Sequence, residues 1–94
     1  MKQGETVMVT TAHRGVFYGT FESQANQTVT LRGARNCIYW DQQTHGFLGL
    51  AAQGPGSKCK VGPAVPEMEI RDVTSIAVVT PEAAARWEEA PWQS

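Results

Sequence analysis

The chain has 94 residues, a net charge of −1 and 41% hydrophobic residues, the size and composition of one small domain with a modest core. Its charge is split, with six basic and three acidic side chains in residues 1–60 and two basic against six acidic in 61–94. That balance argues against bulk duplex nucleic acid as a partner, because such binding draws its affinity from many neutralised phosphates, and no apolar run approaches the roughly 20 residues that span a bilayer.

The opening residues show no basic-then-apolar leader. Two cysteines, Cys37 and Cys59, are too few for a disulfide scaffold. A cytosolic site with free thiols is the expectation. Residues 5–11, rich in β-branched types, predict a first strand. Ala12 to Gly15 form a turn in which Gly15 can take positive φ. A second strand over about 15–23 alternates Val16, Tyr18 and Thr20 with Phe17, Gly19 and Phe21, and the second set reads as the core face. Gly19, between two rings, allows a sharp bend or a close backbone neighbour.

Residues 24–27 make a polar hairpin connection. A third strand over about 27–35 buries Val29 and Leu31 and turns Thr28, Thr30 and Arg32 outward, with a bulge near Gly33 and Ala34 before Arg35. Ile38, Tyr39 and Trp40 form a further short extended piece. Residues 44–53 read as a short helix capped by Thr44, with Phe47, Leu48, Leu50 and Ala51 as its apolar stripe. Gly54-Pro55-Gly56-Ser57 ends it. A short edge strand over 58–61 and an irregular stretch to Pro66 follow. Residues 68–70 and 73–79 are the closing strands, with Asp72 near a bulge. Thr80 and Pro81 open a C-terminal helix as cap and first residue, and Pro91 stops it.

These elements predict a mostly-β fold: a small, strongly bent antiparallel barrel of SH3 or Sm type over residues 1–80, with a short central helix, and a C-terminal helix and tail over 81–94. An open antiparallel sheet with a helix packed on it is the alternative.

The strings Gly15-Val16-Phe17-Tyr18-Gly19-Thr20, Val29-Thr30-Leu31-Arg32-Gly33-Ala34-Arg35 and Tyr39-Trp40 resemble a family of small bacteriophage and prophage proteins. In that family a Gly-Val-x-x-Gly-Thr strand, a Val-x-Leu-x-x-Ala-Arg strand, a Tyr-Trp pair and a short Leu-Ala-containing helix occur in this order. A Val-Pro-Glu and an aliphatic strand follow, matched here by Val65-Pro66-Glu67 and Ile70. The likeness spans about residues 7–80 and departs at Asp41 to His45. The second and third strands are also loosely similar to the Sm-type barrel. The phage likeness implies a host bacterial cytoplasm and carries no activity onto particular residues.

Chemistry is narrowed by elimination. His13, His45, Cys37 and Cys59 show no zinc-ligand spacing, so no metal and no cofactor are expected. No Gly-x-Ser-x-Gly elbow is present. Gly54-Pro55-Gly56-Ser57-Lys58 looks superficially like a phosphate-cradling loop, but Pro55 lacks an N–H and no strand-to-helix context follows, so a flexible turn is expected there.

What remains is a set of arginines and aromatics: Arg14, Tyr18, Arg32, Arg35, Tyr39 and Trp40. Aromatic planes stack bases and guanidinium forks pair with phosphate oxygens. The same enrichment marks subunit contacts, and a solvated strand face closed by Tyr and Trp would carry the same residues. Trp87 is expected to pack the C-terminal helix onto the sheet or onto a neighbouring subunit, and Trp92 to lie in a loosely held end. The function expected is that of a phage-encoded, self-associating binding protein without enzymatic activity. It would sequester a small phosphorylated ligand such as a nucleotide signal of host antiviral defence. A single-stranded nucleic-acid binder, and a structural or host-protein-binding module, are the other two readings.

Overall fold

The computed structural model describes residues 1–40 and 42–91. In chain order the elements are β1 (Thr6–Thr11), β2 (Val16–Ala25), β3 (Thr28–Tyr39), a 3₁₀ turn (Gln42–Thr44), α1 (Gly46–Gln53), β4 (Lys60–Val61), β5 (Val65–Ile70), β6 (Val73–Val78) and α2 (Pro81–Glu89). The expected third strand and the short piece at 38–40 are one strand, β3. The stretch expected to be irregular as far as Pro66 belongs partly to β5, with Pro66 on an edge strand, where its missing N–H costs least.

Left-handed backbone punctuates the strands. Arg14 (φ 66), Asn26 (φ 56) and Asp72 (φ 57) sit in the β1–β2, β2–β3 and β5–β6 connections. In the first turn it is therefore Arg14, not Gly15, that takes positive φ. Gly15 is needed for space, since a Cβ there would meet the Phe17 ring at 2.6 Å.

The sheet runs β4-β3-β2-β1-β6, with β5 also on β3, and every pairing is antiparallel. β5 and β6 are consecutive yet diverge: β5 follows β3 and β6 follows β1. The predicted closed barrel is therefore not formed. The fold is the alternative, an open, curled antiparallel sheet with helices packed on it. The curl brings the β2–β3 tip to the start of β6, where the Val73 N–H donates to the Gln27 carbonyl at 2.9 Å, but among the described residues no ladder closes the gap.

Both faces of the sheet are covered. One face holds Val7, Val9, Phe21, Val29, Leu31, Ala34, Ile70 and Val73, among the described residues a cluster built from strand residues alone. The other face holds Met8, Val16, Tyr18 and Cys37 against Leu50 and Ala51 of α1, Val61 of β4, and Ala83 and Trp87 of α2. Two devices bend the sheet. A Cβ at Gly19 would lie 3.1 Å from the Arg32 carbonyl, so any larger residue on the second strand would push β3 back by a few tenths of an ångström where it crosses closely. Gly33 (φ 59) lies in a bulge between the pairs Thr20↔Arg32 and Tyr18↔Arg35, which reverses the facing of every later β3 residue.

α2 forms as its sequence predicts. The Thr80 hydroxyl accepts from the Ala83 N–H at 3.1 Å with Pro81 just inside, a cap worth about 1 kcal/mol. α2 also satisfies the end of α1, whose last carbonyls would otherwise be orphans. The Ala51 carbonyl accepts from the Thr80 N–H (3.0 Å), Ala52 from the Thr80 hydroxyl (2.8 Å) and Gln53 from Arg86 Nη1 (2.9 Å). Leu50 accepts from Trp87 Nε1 (3.3 Å).

The start of α1 departs from expectation. Thr44 is not its cap; it belongs to the 3₁₀ turn, and α1 is entered through His45 at φ 65 with no side-chain cap. The cause is Gly49. A Cβ there would lie 1.6 Å from the Thr44 carbonyl, so the 3₁₀ turn folds onto α1 at a distance only glycine permits. The expectations for Asp41 and Trp92 fall on residues outside those described. No helix among the described residues is long and apolar enough to cross a membrane.

Candidate functional site

The six residues singled out from sequence do not form one site. Alternation puts Tyr18 off the core face and leaves Arg35, past the bulge, without an assigned face. They are cross-strand partners, but they are buried, with only 3% and 7% of their surfaces exposed. Both lie on the strand face opposite Val29 and Leu31, which for Tyr18 is the expected one. At this end, however, α2 covers that face. Tyr18 stacks on Trp87 with ring centroids 4.8 Å apart and planes 9° from parallel. Its hydroxyl donates to Glu88 Oε2 at 2.7 Å. Burial, then the hydrogen bond to Glu88, push its pKa well above the ordinary tyrosine value. Arg35 donates from Nε to the Gly62 carbonyl at 2.7 Å and from Nη1 to the Trp87 carbonyl. It clamps the β4–β5 connection to the end of α2.

The other four lie apart. Arg14 is exposed in the β1–β2 turn. Arg32 is exposed on β3, 3.9 Å from Glu22 at its nearest oxygen. Trp40 lies eight positions beyond Arg32, just past the end of β3, on the order of 25 Å of extended chain. Tyr39 is 52% exposed at the end of β3, opposite Lys60 of β4. Trp40 is half-buried against the helix-side core.

A different set of groups does converge. The 3₁₀ turn, the end of α1, the loop after it and α2 enclose a cleft of about 230 Å³, lined by Gln43, Thr44, Gln53, Gly54, Gly56, Ser57, Lys58 and Arg86. Local geometry builds it. Gly54 (φ 81) turns the chain out of α1, and a Cβ there would meet the Ala83 carbonyl at 2.9 Å, so the loop leaves α1 pressed against α2. The Thr44 hydroxyl lies 3.2 Å from Cys59 Sγ, tying the 3₁₀ turn to the far end of the loop. Arg86 spends one donor on the Gln53 carbonyl and has four more N–H groups in a planar fork.

The lining carries two cations and, among the described residues, no carboxylate. The Arg fork, the Lys ammonium and the Ser57 hydroxyl are all donors, of the chemistry that suits phosphate oxygens. The Gly54 to Lys58 segment, read from sequence as a flexible turn, is thus one wall of the cleft. What sequence could not supply was Arg86, which only the α1–α2 docking brings across.

The free thiols Cys37 and Cys59 are both buried. Burial, and the neighbouring Cys59, push the Cys37 thiol up to about 12, far from a reactive thiolate at neutral pH. Among the described residues no group of three or more His, Cys, Asp or Glu side chains is arranged to hold a metal ion.

The chain belongs to the family described as domain of unknown function DUF6948, which it matches over residues 4–87. The match takes in the whole sheet, both walls of the cleft and α2 as far as Trp87. Comparison with curated proteins finds no match.

Proposed function

We infer that this chain is a binding protein rather than an enzyme, and that it takes the phosphate end of a small nucleotide-type ligand in the cleft between the Gly54–Lys58 loop and α2. The observation that carries this is the convergence of Lys58 and Arg86 on a glycine-walled, hydroxyl- and amide-lined cleft without a carboxylate among the described residues. At about 230 Å³ the cleft falls below the roughly 300–1,000 Å³ of ordinary small-molecule pockets. It therefore suits a phosphorylated end, with the remainder of the ligand lying outside or against a second subunit. The resemblance to phage proteins extends the reading to a protein that self-associates in a host bacterial cytoplasm and sequesters a nucleotide signal of host defence.

Calorimetry of the full chain against inorganic phosphate, cyclic dinucleotides and ADP-ribose-type nucleotides tests it. Binding of at least one nucleotide is expected. Lys58→Met and Arg86→Gln should each weaken it by roughly 10- to 100-fold, the worth of one charge-assisted hydrogen bond. No heat with any probe, or affinities indifferent to both substitutions, would overturn the assignment.

One observation favours a second reading. Exposed Tyr39 stands opposite Lys60 across the β3–β4 pair, a stacking ring beside a cation, as single-stranded nucleic-acid binders use. That reading requires affinity that rises with oligonucleotide length and falls steeply with salt.

A further inference from the structure

The sheet has two sides with unpaired strand edges among the described residues, and they are protected very differently. On the β3 side, β4 is only two residues long, and β5 carries Pro66, Glu67 and Glu69. Short strands, proline and charge are the usual means by which a protein stops its edges from pairing with another chain. On the opposite side, β6 reads Val73-Thr74-Ser75-Ile76-Ala77-Val78. It has no charge and no proline, and three of its six residues are valine or isoleucine.

The hydrogen-bonding phase of β6 follows from one bond. The Val79 N–H donates to the Thr6 carbonyl, and the β1–β6 register continues through Met8↔Ala77 and Thr10↔Ser75. Alternate residues therefore face β1, and the N–H and C=O groups of Ile76 and Val78 point away from it. Among the described residues no other strand takes them up. Val78 is also 51% exposed. Along Val73 to Ile76 the strand borders an open groove of about 370 Å³, across from Met1, Gln24, Asn26 and Gln27. Among the described residues no charged side chain lines that groove.

We propose that the β6 edge is a docking surface for a second copy of this chain, which adds its own β6 antiparallel across a two-fold axis at Ile76. The edge is complementary to itself. A pair centred on Ile76 exchanges both outward Ile76 bonds and sets Thr74 opposite Val78 of the other copy. It brings no charge against a like charge, and an isologous contact of this kind closes at two subunits. A charged peptide would find no counter-charge here, whereas an uncharged β-branched strand matches along its length. This surface deepens the self-association in the reading above, but none of its residues lines the cleft.

Sedimentation equilibrium and amide hydrogen exchange on the full chain test it. The native chain should dimerise, and the Ile76 and Val78 amides should gain protection as concentration rises. Val78→Lys places a charge on the edge, and Val78→Pro removes an outward-pointing N–H while fixing φ there. The proline should weaken pairing by roughly 10-fold or more, the worth of one or two net backbone hydrogen bonds, and the lysine should weaken it by setting a charge in the uncharged seam, with the circular dichroism of the folded chain unchanged. Should the proline variant not fold, Val78→Lys reads the same surface. A native chain that stays monomeric at every concentration overturns the proposal. So does a dimer that both variants leave intact, or one in which the two amides stay unprotected. Phosphate calorimetry on monomeric Val78→Lys keeps the two proposals apart, since failure at the cleft leaves the strand-edge result standing.

Discussion

Arg35 decides between a binding surface and a structural clamp, and Arg35→Ala separates them. In the fold its guanidinium supplies hydrogen bonds to the carbonyls of Gly62 and Trp87. Removing it leaves two buried acceptors unpaired, at about 1–3 kcal/mol each, so about 2–6 kcal/mol before relaxation. Relief of burying a charge offsets part of this. The remainder is a large share of the roughly 5–15 kcal/mol that holds a small domain together. For a domain of this size each 1 kcal/mol moves Tm by roughly 4–8 °C, so a fall of roughly 10–30 °C is expected. Arg35→Lys, with one compact donor head, can serve one carbonyl and should lose about half as much. Thermal melts followed by circular dichroism read both variants, and nucleotide calorimetry below the melting point reads binding. An Arg35→Ala chain with unchanged Tm refutes the clamp. Unchanged Tm together with lost ligand affinity would return Arg35 to the binding surface, where its sequence neighbours first placed it.

Gly49→Ala should prevent the 3₁₀ turn from folding onto α1, since its Cβ would sit 1.6 Å from the Thr44 carbonyl. The expected readout is a lower urea midpoint and loss of phosphate binding together; an unchanged midpoint refutes the contact. Thr80→Ala removes both the α2 cap and the bond to the Ala52 carbonyl. It should cost about 1–3 kcal/mol, with Thr80→Ser restoring most of it in the same denaturation assay. Stability should also fall at alkaline pH. The Tyr18 hydroxyl and the Cys37 thiol both hold their protons more tightly folded than unfolded. For Cys37 that contribution is fully present below the ordinary thiol value of 9.0 and is lost as pH climbs toward about 12. Urea midpoints taken across that range should decline, and Cys37→Ala should flatten part of the decline; a level profile in the native chain would sink the assignment.

The strands and α2 were legible because local chemistry and tertiary structure agree there. Thr80-Pro81 is a helix start on its own, and the Val-Met-Val run of β1 is apolar throughout because that strand is central and covered on both faces. The faces of β2 and β3 were harder. Alternation separates two faces but does not say which is wet. Thr30 and Arg32 do lie on the outer side, as predicted. Two residues past the Gly33 bulge, Arg35 occupies the same side and is buried, because α2 ends above it and offers the Trp87 carbonyl. What decides exposure is how far the helices reach along the sheet, and no spacing within β3 encodes that reach. The cleft was hidden for the same reason. On its own composition Gly54 to Lys58 falls short of an anion loop, for want of an N–H at Pro55 and of a strand-to-helix context. Its partner is a side chain on α2, Arg86, held there by the Gln53 carbonyl. A cleft lined from two elements takes only part of its polar groups from any one stretch of chain, so neither part reads as a motif alone. The β6 edge is the reverse case. Its lack of charge is plain in the sequence, but it acquires meaning only once β5 and β6 are seen to diverge rather than pair, because closing the barrel would have used those same backbone groups.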